Sequence, residues 1–181
     1  MEIENVKRYL PYAVIPIVCA AIFLVLRGGT DAFLLLKFEL ISVTGFIAAI
    51  IDLRTKRIPN KLVLAMLFAW CVIMTPKLFV DTDAAIVGLI DSISGFAIGG
   101  GIFLAVYLAS GKGLGGGDVK FMAAAGLYLG FIRTIPTVLF GTILAGITGL
   151  VLILLKKIGR KDTMPLAPFL YIGIILTVFL Q

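Results

Sequence analysis

What most constrains this chain is the length and spacing of its apolar runs. They recur from end to end, and the gaps between them are about ten residues or shorter. Backbone amides and carbonyls in hydrocarbon must be bonded within their own segment, and for a chain without a barrel's alternating pattern that means helices. Apolar runs bounded by charge, Pro and Gly fall at about 11–26, 32–51, 59–76, 84–109, 119–132, 135–155 and 164–180. The composition agrees: 61% of residues are hydrophobic and 14% charged, with a mean hydropathy of +1.15 that no soluble domain carries. The expected fold is an all-α polytopic bundle of six or seven transmembrane helices. With no gap long enough for an aqueous domain, residues 1–181 form a single integral membrane domain.

Positive charge orients the bundle. With the amino terminus in the cytoplasm, Lys7, Arg8, Arg54, Lys56, Arg57, Lys61, Lys112, Lys120, Lys156, Lys157, Arg160 and Lys161 lie inside, 12 of the 16 bases. Arg27, Lys37, Lys77 and Arg133 remain for the outside. The first run follows Lys7 and Arg8 as a signal peptide would, but "RGGTDA" after it has no small-x-small cleavage site, so it reads as a retained span.

The net charge of +6 is therefore a matter of topology, and no aromatic-interleaved basic patch points to nucleic acid. Histidine is absent, and the two cysteines, Cys19 and Cys71, lie inside apolar runs with no CxxC pair. A zinc site, a disulfide framework and a Ser-His-Asp triad are excluded, and no cofactor or metal is expected. Small residues at three-to-four spacing, Gly88, Ser92, Gly95 and Gly99, and again Gly141, Ala145 and Gly149, are read as helix-packing faces.

A carboxylate inside hydrocarbon calls for a partner or a function. Of the 10 acidic residues, Glu2, Glu4, Asp31, Asp81, Asp83 and Asp162 are in tails or loops, and Glu39 is near enough to an interface to snorkel. Asp91 is about seven residues from the outer end of its run, where a polar clamp to serine, threonine or Arg133 is the expected role. Asp118 lies only about 15 residues from Arg133, roughly 22 Å of helix against a hydrocarbon core of about 30 Å. It should thus lie below the inner surface, behind the glycine loop Gly115, Gly116 and Gly117 and just ahead of Lys120. Such a loop is tolerated there only where it lines a wet, shielded cavity, and its glycines permit left-handed or crowded backbone. Residues 111–116 formally match GxGxxG but follow a membrane helix, which argues against a phosphate cradle. Asp52 closes the second run on the same face. Among Arg54, Lys56 and Arg57 it would be a surface ion pair, were it not for Asp118 at the same side.

Two carboxylates close enough to interact do not both ionise cheaply, so together they make an acid beside a base. Such a pair hydrolyses amides with no nucleophilic serine and no metal, on a substrate that itself lies at the membrane. The same two acids in a proton- or cation-coupled carrier are the alternative.

The stretch "GLGGGDVKFMAAAGLYLG", residues 113–130, resembles the GxGD signature of type IV prepilin peptidases and archaeal preflagellin peptidases. Three further stretches are similar to that family in the same order: "IDLRTKRIPNKL" at 51–62, "DSISGFAIGGG" at 91–101 and "MPLAPFLYIG" at 164–173. The resemblance implies that Asp52 and Asp118 are the catalytic aspartates, that Asp91 is a family acidic position outside the pair, and that Arg54 and Arg57 serve topology. It implies an aspartic endopeptidase in a prokaryotic cell membrane, cutting the basic leader from membrane-anchored prepilin-like precursors at the cytoplasmic face. Long bacterial members carry a domain with two CxxC pairs and methylate the new amino terminus; with neither pair here, the expectation is peptidase activity alone.

Overall fold

The computed structural model describes residues 32–110, 113–157, 159 and 162–180. The expected span at 11–26 lies outside them. Among the described residues there are five helices: α1, Ala32–Thr55; α2, Asn60–Val80; α3, Thr82–Ala109; α4, Gly116–Leu154; and α5, Ala167–Leu180. The first four are long and apolar enough to cross a membrane, and α5 is a shorter apolar helix. Large apolar side chains such as Leu64, Phe68, Phe79, Val87 and Leu154 are exposed around the bundle, a surface suited to lipid rather than water.

Local chemistry sets the helix ends. Lys56 takes a left-handed φ of 51° and its N–H donates to the Asp52 carbonyl at 2.8 Å, a one-bond cap that closes α1. Pro59, with φ −71° and ψ 137°, stands at the N-cap position just before α2. Asp81 ends one helix and starts the next: its N–H donates to the Lys77 carbonyl at 3.0 Å, and its Oδ1 accepts from the Ala84 N–H at 3.1 Å.

The two runs expected at 119–132 and 135–155 are the two arms of α4, whose 39 residues are two helices joined across a kink; a straight helix of that length, at about 1.5 Å per residue, would be nearly twice as long as a bilayer is thick. The break is at Gly130, where φ is 73° and ψ −177°, a conformation open to glycine and strained for any residue with a Cβ. The break precedes Arg133 by three positions because backbone conformation, not charge, decides where the helix turns. The second arm folds back on the first. A Cβ placed on Gly99 of α3 would stand 2.5 Å from the Met122 carbonyl oxygen of the first arm and 3.2 Å from Thr134 Cγ2 of the second.

Neighbouring helices satisfy the groups exposed by the break. The Phe131 N–H, whose helical acceptor would be Leu127, donates instead to Asp91 Oδ1 at 2.9 Å. The Leu127 carbonyl accepts from the Trp70 indole N–H at 3.1 Å, and the Thr134 hydroxyl donates to the Gly130 carbonyl at 2.6 Å. Such repair is what broken backbone at membrane depth requires. Asp91 is thus a clamp, and the partner it holds here is the Phe131 backbone. The Arg133 guanidinium lies over the Phe38 ring, 5.1 Å from its centroid.

The small residues of α3 divide by face. Ser92, Gly95 and Gly99 are buried, with the backbones of Gly95 and Gly126 in direct contact. Gly88, expected in the same stripe, meets nothing within 4 Å. Buried Lys37 donates from Nζ to Ser92 Oγ at 3.2 Å, tying α1 to α3. On the second arm, Gly141 lies against Leu170 of α5, and the Thr137 and Thr177 hydroxyls are 3.0 Å apart.

Candidate active site

Three chain connections meet at one end of the bundle, and each brings a residue that matters. Asp52 is in the last turn of α1, is 4% exposed, and accepts from the backbone N–H of Ala167 at Oδ2, 2.9 Å away. Ala167 opens α5, so the unpaired N–H groups and positive dipole end of that helix face the carboxylate. Asp52 is therefore not an ion pair spread among the loop bases. Its position is set by the "MPLAP" segment on the far side of the sequence.

Asp118 is in the first turn of α4, half-buried, with its N–H donating to the Gly115 carbonyl at 3.1 Å. Leu114 anchors the preceding loop by packing against the core. None of Gly115, Gly116 and Gly117 has a positive φ; among the described residues only Gly130 does among glycines. Crowding accounts for two of the three. A Cβ on Gly117 would lie 3.3 Å from Ile58 backbone and Cβ atoms, and one on Gly115 would lie 2.7 Å from Asp118 Oδ2. Gly116 has open space around it.

Asp52 and Asp118 line one cavity of about 360 Å³, walled by Lys56, Arg57, Ile58, Asn60 and the three glycines. That volume admits several waters. Lys56 reaches across from the α1–α2 connection, donating from Nζ to the Thr163 carbonyl at 2.9 Å. Lys120 donates from Nζ to Asn60 Oδ1 at 3.0 Å, bridging α4 to α2. Lys56 and Arg57 belong to the α1–α2 connection at this end, and Arg54, Lys61 and Lys120 are in the adjoining turns of α1, α2 and α4. Lys56 and Arg57 form part of the cavity wall, a place in the site beyond the topological one expected for Arg57.

Asn60 and the Ala167 N–H went unnoticed in the sequence. A backbone donor has no sequence signature, whereas Asn60, the one amide beside "IP", stood next to a motif and was legible in principle. Among the described residues, no three His, Cys, Asp or Glu side chains stand together as metal ligands would. The carboxyl groups in the cavity wall are those of Asp52 and Asp118.

Residues 39–153 match the profile of the type IV leader peptidase family. The chain belongs to that family. Its relatives include proteins named prepilin leader peptidase/N-methyltransferase: one from Aeromonas hydrophila, 32% identical over 158 residues, covering 86% of this chain and 51% of the relative; one from Escherichia coli strain K12, 31% identical over 126 residues, covering 69% and 54%; and one from Bacillus subtilis strain 168, 28% identical over 131 residues, covering 72% and 50%. The chain spans about half the length of these relatives. No solved structure matches it. The matched region takes in Asp52, Asp91 and Asp118, and stops short of the Ala167 that holds Asp52.

Proposed function

We propose that this member of the type IV leader peptidase family is an aspartic endopeptidase of a prokaryotic cell membrane. It removes the short basic leader from prepilin-like or preflagellin-like precursors, with Asp52 and Asp118 as the catalytic pair. The observation that carries the reading is the shared cavity: residues 66 positions apart, each in the terminal turn of a membrane helix, line one polar space of about 360 Å³. The carrier alternative uses the same acids but draws no support from the family.

In the proposed reaction one carboxyl is ionised and the other protonated. The ionised group takes a proton from a water held between them, and the water oxygen bonds to the scissile carbonyl carbon while the protonated acid hydrogen-bonds its oxygen. The carbon–nitrogen bond then breaks and a proton passes to the leaving amine, so that a carboxyl product, an amine product and the original proton count result. The Ala167 N–H holds Oδ2 of Asp52. The basic end is the cytoplasmic one by the positive-inside rule, which puts cleavage where the leader is.

The reading is tested by co-expressing a membrane-anchored prepilin-like precursor with the protein, or with Asp52→Asn or Asp118→Asn, and following the loss of the leader by mass. Cleavage by the parent and none by either variant is the expected result. Intact precursor with the parent protein, accompanied by ion flux in vesicles, would favour the carrier.

A further inference from the structure

A second cavity adjoins the first and is of the opposite character. About 700 Å³ in volume, it runs as an apolar groove between α2, α3 and the first arm of α4, and Asn60 lines both spaces. Lys120, bonded to Asn60, stands at the border. From that border the groove follows α2 from Asn60 to Leu67, seven residues or about 10 Å, which is two helical turns. Its walls include Leu64, 63% exposed, and Leu104, 47% exposed.

The packing of the described residues does not account for this groove. On α3, Gly95 and Gly99 are covered by α4, whereas a Cβ on Gly101, in the groove, would meet nothing within 4 Å. What fits is an apolar helix approaching closely, with its end at the polar cavity.

Resting on the peptidase reading, we propose that this groove seats the first two turns of the precursor's own membrane helix, so that the bond just before that helix falls between Asp52 and Asp118. Continuity through Asn60 selects this occupant. A helix lying there has its leader side at the acids, whereas lipid or a second copy of this chain has no reason to meet a catalytic cavity.

The test uses the full chain in membranes with two substrates, an anchored precursor and a short peptide that spans the cut but ends before the apolar helix. Gly101→Trp places an indole in the groove from a position where a Cβ meets none of the described residues within 4 Å, and Gly88→Trp, at an equally open position outside the groove, is the control. Gly101→Trp should lower the ratio of precursor to peptide cleavage at least tenfold, and Gly88→Trp should leave it unchanged. A photo-crosslinking side chain at position 101 should capture the first turns of the precursor helix. An unchanged ratio in Gly101→Trp, or capture at 101 of residues 11–26 of this chain or of a second copy in place of the precursor, overturns the proposal. Failure of the parent protein to cut either substrate overturns the peptidase reading instead.

Discussion

The backbone N–H of Ala167 donates to Asp52 Oδ2 at 2.9 Å across 115 positions of sequence. This bond joins the first turn of α5 to the last turn of α1 and orients the more deeply buried acid of the pair. A hydrogen bond to a charged group contributes about 1.5–3 kcal/mol.

Removing that donor tests its part in the reaction. Proline is compatible with the first position of a helix, so Ala167→Pro deletes the N–H where the backbone tolerates it, while Ala167→Gly keeps it. Precursor cleavage should fall roughly ten- to a hundredfold in the proline variant and stay within a few-fold of the parent in the glycine variant. Time courses of leader removal, normalised to protein in the membrane, decide this; equal rates would mean that the bond does not serve the chemistry.

The glycine loop makes a position-specific prediction. Gly116 has open surroundings, whereas Gly117 abuts Ile58 at 3.3 Å. Gly116→Ala should cut precursor at close to the parent rate. Gly117→Ala should be slower by about tenfold, since overpacking of about 1–3 kcal/mol must be relieved by shifting Ile58 and with it the cavity wall. The same cleavage time courses compare the two.

The break in α4 predicts effects on stability rather than on catalysis. Asp91→Ala strips the acceptor from the Phe131 N–H and should lower the thermal midpoint of the detergent-solubilised protein, through a loss of about 1–2 kcal/mol. Asp91→Asn keeps an acceptor and should lose less. Gly130→Ala adds strain at φ 73° and drives a Cβ into the Asp91 carboxylate, so it should be the most destabilised of the three. The fraction that remains folded should still cut precursor; a folded Asp91→Ala protein with no cleavage would instead put Asp91 in the chemistry.

Much of this architecture was legible in the sequence, and the reasons are physical. Hydrocarbon permits so few backbone arrangements that the apolar runs announced helices, and the isolated acids stood out because a carboxylate in such a chain needs a reason. Asp52 and Asp118 were visible for that reason, and the family resemblance rested on the motifs around them. The place where α4 turns was less visible. Arg133 separates the runs at 119–132 and 135–155, yet the break falls at Gly130, which is one of 20 glycines in the chain. The support of Asp52 by Ala167 was not visible at all, because every residue but proline has the same N–H and only the fold brings this one to the acid.

The central claim is that Asp52 and Asp118 act as one unit on one water. The most direct measurement is the single-turnover rate of leader removal by purified protein in lipid nanodiscs, for the parent, Asp52→Asn, Asp118→Asn and the double variant. Each single substitution should lower the rate by about 10³-fold or more, and the double should be no worse than either single, as for groups that work together. A single variant that still trims the precursor at the parent rate would contradict the account.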